Sequence, residues 1–506
     1  MHKGDEIVYR MPDRQLSLDD FYLGFNGSLD SENRWVKLAR LIPWETIEKK
    51  YATLFVENNG QPAKPLRMAL GALIIKEKEN WSDRQTVQHI IESPYLQYFI
   101  GLSAFQKEAP FDPSLMVDFR KRLTSTILGE INEMIRPDVV PAKTEESSNS
   151  DDPKDPPPPA IVSGRGEPSS PPKHKTPVPL KGKLILDATC APADIRFPTD
   201  LSLLNEAREN LDTILDQLHE PLRGSIRRPR TYRRIARKDF LHVAKQKQPK
   251  HKAIRKSLRR QLGYVKRNLR HVDSLLAHPT HGQLTNHWSA RLDIVRQLIA
   301  QQREMFQDGT HRVADRIVSL YQSHVRPIVR GKANAYCEFG AKVAISVVNG
   351  FSTIEKLSWD AFNEGNTLVA SVEAYCQRYG HYPEAVLADK IYRTRENLAY
   401  CKELGIRLSG PKLGRPKQGL NVQEKRIERQ DNRERNEVEG KFGEGKRRYG
   451  LNRIMARLKD TAESEIAMQF LVMNLQHRLR ISLHLLWLRF LKCCEVIYWR
   501  VESGFI

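Results

Sequence analysis

Three acidic residues in this chain have the type and placement to do chemistry together. The first, Glu439, lies in residues 431–450, DNRERNEVEGKFGEGKRRYG. On a helix turning about 100° per residue, Arg435, Glu439 and Lys446 fall within roughly 40° of one another. Glu434, Glu437 and Glu444 project away from that stripe. A lone carboxylate between two cations is by default a surface salt bridge, worth little. Glu439 gains a role only if two further carboxylates reach it.

Asp187 and Asp389 are the candidates. Leu184, Ile185 and Leu186 form a short apolar run ending in Asp187, and residues 385–388 form another ending in Asp389. A buried strand that closes on an aspartate delivers a carboxylate to a sheet edge. Asp194 and Asp200 follow the first run and read as turn residues. Two rigid strand carboxylates with a third from a helix are what two-metal phosphoryl transfer needs. Each Mg²⁺ (or Mn²⁺) takes oxygen ligands and keeps positions open for water and phosphate. Two ions about 3.5–4 Å apart activate one oxygen and stabilise another. Asp187 is placed to bridge the pair, with Asp389 and Glu439 on its flanks.

The elements that must carry these residues can be read along the chain. Residues 1–135 carry helical spacing, with a capping box at Ser82 and Gln85. Pro94 is expected to stop that helix, and Asp112 and Pro113 to open the next. With Arg120, Lys121 and Arg122 near its end, this all-helical unit reads as a DNA-binding or dimerisation domain. Residues 136–180 read as a Pro-rich linker with no means of burying a core; eleven of the 29 prolines fall within 141–180. Residues 201–330 read as a helical insertion built on a long hairpin that turns at HPTHG.

Residues 221–270 hold 19 Lys/Arg against one acid, Asp239. Such a concentration needs a counter-charge, which DNA supplies. Arg227, Arg228, Arg233, Arg234, Arg259 and Arg260 are its candidate contacts. Tyr232, Phe240 and Tyr264 are too sparse for base stacking. Strands are expected at 341–350, 385–388 and GIRLSG, with helices at 359–377 and 394–404. The basic loop PKLGRPKQG reads as a flexible loop or a minor-groove hook. Residues 461–506 read as a helical segment too interrupted by charge to span a bilayer.

Composition narrows the partner. The 506 residues carry a net charge of +21 and a pI of about 9.6, which favours a polyanion. The six cysteines form no CxxC pair, which argues against a zinc ribbon or disulfide frame. MHKGDEIVYRMPDR has no apolar signal segment, so a cytoplasmic location is expected.

Taken in order, LILDATCAPADIRFPTD, VLADKIYRTREN and RNEVEGKFGEGKRRYG resemble the three catalytic blocks of a bacterial insertion-sequence DDE transposase. They are similar to the branch with a Tyr-Arg-Glu-Lys signature. Arg435, Glu439 and Lys446 match its gaps of three and six residues, while Asn432 stands where the family has Tyr. EFGAKVAISVVNG, SWDAFNEG and the N-terminal helical unit extend the resemblance.

It implies an α/β RNase H-like catalytic core, a mixed sheet flanked by helices, built from 181–200 and 331–460. It also implies Mg²⁺-dependent cleavage at the element's ends and strand transfer into target DNA, with Asp187, Asp389 and Glu439 as metal ligands. Arg435 and Lys446 would hold DNA phosphates. A homodimer would bring the two terminal inverted repeats together, in the bacterial cytoplasm beside the nucleoid. The rival readings are an RNase H-like nuclease without strand transfer, an inactive DNA-binding derivative, and a nucleic-acid packaging protein.

Overall fold

The computed structural model describes residues 17–23, 27–53, 63–137, 179–332, 335–410 and 422–502, with the backbone alone at 330–332, 335–336 and 485–502. The expected linker, apart from 136–137 and 179–180, and the basic loop at 411–419 lie outside the described residues.

Among the described residues, seven helices precede the sheet: α1 (Arg34–Leu41), α2 (Trp44–Ala52), α3 (Leu66–Glu79), α4 (Asp83–Glu92), α5 (Pro94–Phe99), α6 (Leu115–Arg122) and α7 (Ser125–Met134). α3 is buried nearly all round and forms the centre of this unit. The capping box of Ser82 and Gln85 is present on α4. Pro94 does not simply stop that helix. It opens α5, because a missing N–H costs nothing in a first turn, and Ser93 caps it. Asp112 makes a turn with the Ser114 N–H instead of a cap, so α6 starts at Leu115.

The sheet contains β1 (Lys183–Pro192), β2 (Arg326–Lys332), β3 (Ala335–Val348), β4 (Phe351–Ser358), β5 (Ala385–Ala388) and β6 (Arg407–Leu408). Its order is β2-β3-β1-β5-β6, with β4 also paired to β3. β1 runs antiparallel to β3 and parallel to β5, so the sheet is mixed. β1 does not end at Asp187 as the apolar run suggested. Ala188, Cys190 and Ala191 are buried as well, and pairing with β3 continues to Pro192.

Four helices lie between β1 and β2: α8 (Asp200–His219), α9 (Arg233–Ala244), α10 (His251–Leu276) and α11 (Asn286–Asp308). The expected hairpin is only part of this arrangement. α10 and α11 do turn back on each other, but both pack on α8, whose Leu204, Leu211, Leu215 and Leu218 fill a core with Val265, Val272, Leu292 and Val295. Asn268 on α10 donates to Asp212 on α8 at 3.0 Å inside that seam.

The later helices are α12 (Leu368–Tyr379), α13 (Arg395–Glu403), α14 (Val422–Arg448) and α15 (Lys459–Glu502). α12 begins later than 359 because residues 360–367 form a loop and a short 3₁₀ turn. One sheet face, with Leu184, Leu186, Val386 and Ala388, packs on Val372, Tyr375 and Cys401 of α12 and α13. The opposite face, with Ile185, Ile345 and Leu387, shares a continuous core with α14, α15 and the N-terminal helices. Buried Asn474 of α15 donates to Asn132 of α7 at 2.7 Å and accepts from the Ser352 N–H of β4 at 2.9 Å. The N-terminal helices are therefore locked onto the sheet. Among the described residues, no helix is long and apolar enough to cross a membrane.

Candidate active site

The site grows from the register of two neighbouring strands. Leu186 of β1 is the partner of Ala388 of β5. Asp187 and Asp389 are each the next residue, so the two aspartates sit side by side on strands about 4.8 Å apart. Each anchors one oxygen on its own backbone. Asp187 Oδ1 accepts from the Ala188 N–H at 2.8 Å, and Asp389 Oδ1 from the Lys390 N–H at 2.6 Å.

Asp187 is mostly buried, and burial is the main reason its carboxyl is raised from 3.8 to about 6. The Ala188 N–H opposes that rise; the Glu364 and Asp389 carboxylates add to it, and Arg435 counters it. The place is thus electron-rich and short of positive charge.

α14 lies across β1 and β5. Its pitch is set by two ion pairs to strand ends: Glu434 with Lys183 of β1 at 2.7 Å, and Asp431 with Arg407 of β6 at 3.0 Å. Val438 and Phe442 bury its inner face. Arg435 points its charge toward Asp187 and pairs with Glu439 at 3.5 Å.

The Glu439 side chain is 57% exposed. A Cβ added to Gly440 beside it would meet nothing within 4 Å, so this flank of the helix is open. Gly445 has a packing reason: a Cβ there would meet Leu451 at 3.1 Å and Met473 at 3.2 Å. The helix is continuous through Gly440, Gly443 and Gly445 to Arg448, and Lys446 in its last turn is half-buried.

The structure therefore brings Asp187, Asp389 and Arg435 together and leaves Glu439 turned to Arg435. Among the described residues, no three His, Cys, Asp or Glu side chains are close enough to hold an ion. Sequence reasoning missed Glu364, which precedes α12 and pairs with Lys342 of β3 at 2.9 Å. It also missed Tyr392, fully buried, whose hydroxyl is pushed up by burial and by Glu364, Asp187 and Asp389. The pattern of SWDAFNEG suggests the start of a helix, and nothing in its spacing points Glu364 at Asp187.

The six candidate arginines of the insertion divide into two groups. Arg228 and Arg233 bind Asp216, and Arg260 binds Asp239. Arg227, Arg234 and Arg259 are exposed.

A mixed sheet with paired aspartates and an arginine of the crossing helix turned to them is a frame suited to phosphate chemistry. Residues 386–476 match the family model of a transposase DDE domain, and residues 25–122 match that of a transposase domain (DUF772). Both matches are to transposase families, one over the N-terminal helices and one over β5 to α15. The DDE match includes Asp389, α14 and Glu439; Asp187 precedes it. The uncharacterized protein ORF8 in the nfe locus of Rhizobium meliloti is 36% identical over 96 residues. That stretch is 19% of this chain and 46% of the relative, so the chain spans about half the relative's length. No solved structure matches the chain.

Proposed function

We propose that the protein is a DDE transposase that cleaves DNA at the ends of its element and joins the freed 3′-OH to target DNA. The observation that carries this is the pair Asp187 and Asp389 on adjacent parallel strands, faced by Arg435 of α14. The mixed sheet with helices on both faces supports an RNase H-like core, with α8–α11 as an insertion between β1 and β2.

Asp187 and Asp389 offer the oxygen ligands that Mg²⁺ or Mn²⁺ takes, and a third ligand requires Glu439 to leave Arg435 and turn to them. In this reading Asp187, Asp389 and Glu439 hold two ions. When bound, such ions activate an attacking oxygen and stabilise a leaving one. The chain's own groups do the rest. β1 and β5 fix the spacing of the aspartates. Arg435 exchanges Glu439 for a DNA phosphate as substrate arrives, and Lys446 contacts the same backbone further along α14. A homodimer holds two element ends together through α15 or the insertion, and the protein works beside the nucleoid in the bacterial cytoplasm.

The test is an oligonucleotide bearing an element end, incubated with Mg²⁺ and target plasmid. Cleaved and joined products are expected from the wild type. Asp187→Asn, Asp389→Asn and Glu439→Gln should bind the end and form neither. Cleavage by all three variants at the wild-type rate would refute the assignment, and cleavage with no joined product would make the protein a nuclease. The Arg435–Glu439 pair favours one rival, a DNA-binding derivative that does not cut. Metal-dependent cleavage by the wild type would exclude it.

A further inference from the structure

The basic insertion contains one surface with a different construction from the rest. On α10, Lys252, Lys256, Arg259, Gly263, Lys266 and Arg270 recur at steps of 4, 3, 4, 3 and 4, and all six are exposed. At about 100° per residue they lie within roughly 80° of one another. Val265, Val272 and Leu275 are buried on the opposite side, in the core with α8 and α11.

The nearby acids are held away from this stripe. Asp239 is taken by Arg260 and by the Tyr264 hydroxyl, and Asp273 by Arg296. None of the five stripe cations has an acidic partner among the described residues.

Gly263 is the odd member. A glycine in the middle of an exposed helix costs about 1 kcal/mol relative to alanine. Packing does not explain it, because a Cβ at 263 would meet nothing within 4 Å. At the centre of five cations, its missing side chain lets a polyanion approach the helix backbone.

We infer that this stripe is a rail for the sugar–phosphate backbone of duplex DNA, binding without regard to sequence. The inference rests on the transposase reading and adds a surface to it. From 252 to 270 the rail is about 27 Å long, close to eight base pairs of duplex. It has no aromatic member, so it offers nothing for base stacking. The shape and charge suit a second length of DNA, flank or target, engaged by phosphate contacts alone.

The experiment measures binding of a labelled duplex of arbitrary sequence by anisotropy across a salt series. Changing Lys252, Lys256, Arg259, Lys266 and Arg270 together to Gln should lower the log–log salt slope by about 4 and the affinity by at least ~100-fold. Gly263→Glu is the second variant, since it touches nothing in the fold. It should keep the wild-type helix content and lose about one to two units of slope.

An unchanged slope in either folded variant overturns the rail. Loss of RNA-duplex binding with DNA binding intact overturns DNA as the partner. Failure is separable from failure of the transposase reading. Wild-type binding that the stripe variants retain removes only the rail, while wild-type binding through the stripe without metal-dependent cleavage removes only the transposase.

Discussion

Arg407→Ala tests whether α14 is held where its acidic residue can serve the strand aspartates. Arg407 opens β6 and forms a two-pronged ion pair with Asp431 near the middle of α14. The Asp431 side chain is 6% exposed and that of Arg407 is 40% exposed. Removing the arginine leaves a buried carboxylate without its partner, which costs about 3–5 kcal/mol in a fully buried pair. Solvent reaching Arg407 screens part of that, so about 2 kcal/mol is expected here. In urea the midpoint should fall by roughly 0.5 M, since the slope grows with the size of the chain.

Glu439 lies two turns further along the same helix, about 12 Å from Asp431. A helix that shifts by about 1 Å there should lose cleavage on the order of 100-fold while DNA affinity changes little. Adding Asp431→Asn removes the stranded charge. The double variant should regain most of the stability yet stay poor at cleavage, because the tie between α14 and the sheet is still absent. Urea melts and single-turnover cleavage on one pair of variants separate the two effects. If cleavage returns in full with stability, or if Arg407→Ala melts with the wild type, the positioning argument is wrong.

Three further outcomes are expected. Asn474→Ala strands the Ser352 N–H and the Asn132 side-chain oxygen in a buried place, and should cost about 2–5 kcal/mol in denaturant melts. Glu48 is 3% exposed and its carboxyl is raised by burial from 4.5 to about 7, so the fold favours its neutral form. Stability from that neutral form is complete below 4.5 and is lost as pH rises through about 7. Glu48→Gln should therefore flatten the fall in melting temperature over that window and add up to about 3 kcal/mol at higher pH. Gly445→Val forces a branched side chain against Leu451 and Met473, and should lower stability by about 1–3 kcal/mol without changing DNA affinity.

The fold is legible in the sequence where local pattern decides it. Apolar runs at 184–186 and 385–388 mark strands because those residues are buried between two helical layers, and period alone suffices there. Spacing also places α10, α11 and α13. It misses the true partner of α10 because Leu204, Leu211, Leu215 and Leu218 mark α8 as a helix without saying which helix covers them. Pro94 reads as a stop because proline breaks helix interiors; Ser93 beside it makes it a start. That the N-terminal helices share a core with the sheet is not legible at all. Asn132, Ser352 and Asn474 lie far apart in the chain and are ordinary polar residues until they meet.

At the site, pattern places the strand aspartates and the α14 pair but not Glu364 or Tyr392. Helical arithmetic puts Arg435 and Glu439 on one stripe, and they do pair. Strand endings put Asp187 and Asp389 in equivalent places, and the register sets them side by side, although β1 runs on past Asp187. What pattern does not supply is which acid shares the field of Asp187. That acid is Glu364, held by Lys342 on the neighbouring strand, in a turn that spacing assigns to a helix. The same limit applies to charge. The run of 19 cations looks uniform, yet Asp216 and Asp239 occupy Arg228, Arg233 and Arg260. Only three-dimensional pairing distinguishes cations that hold the insertion together from those left facing solvent along α10. A basic segment is thus better judged by which of its charges the fold has already used than by their number.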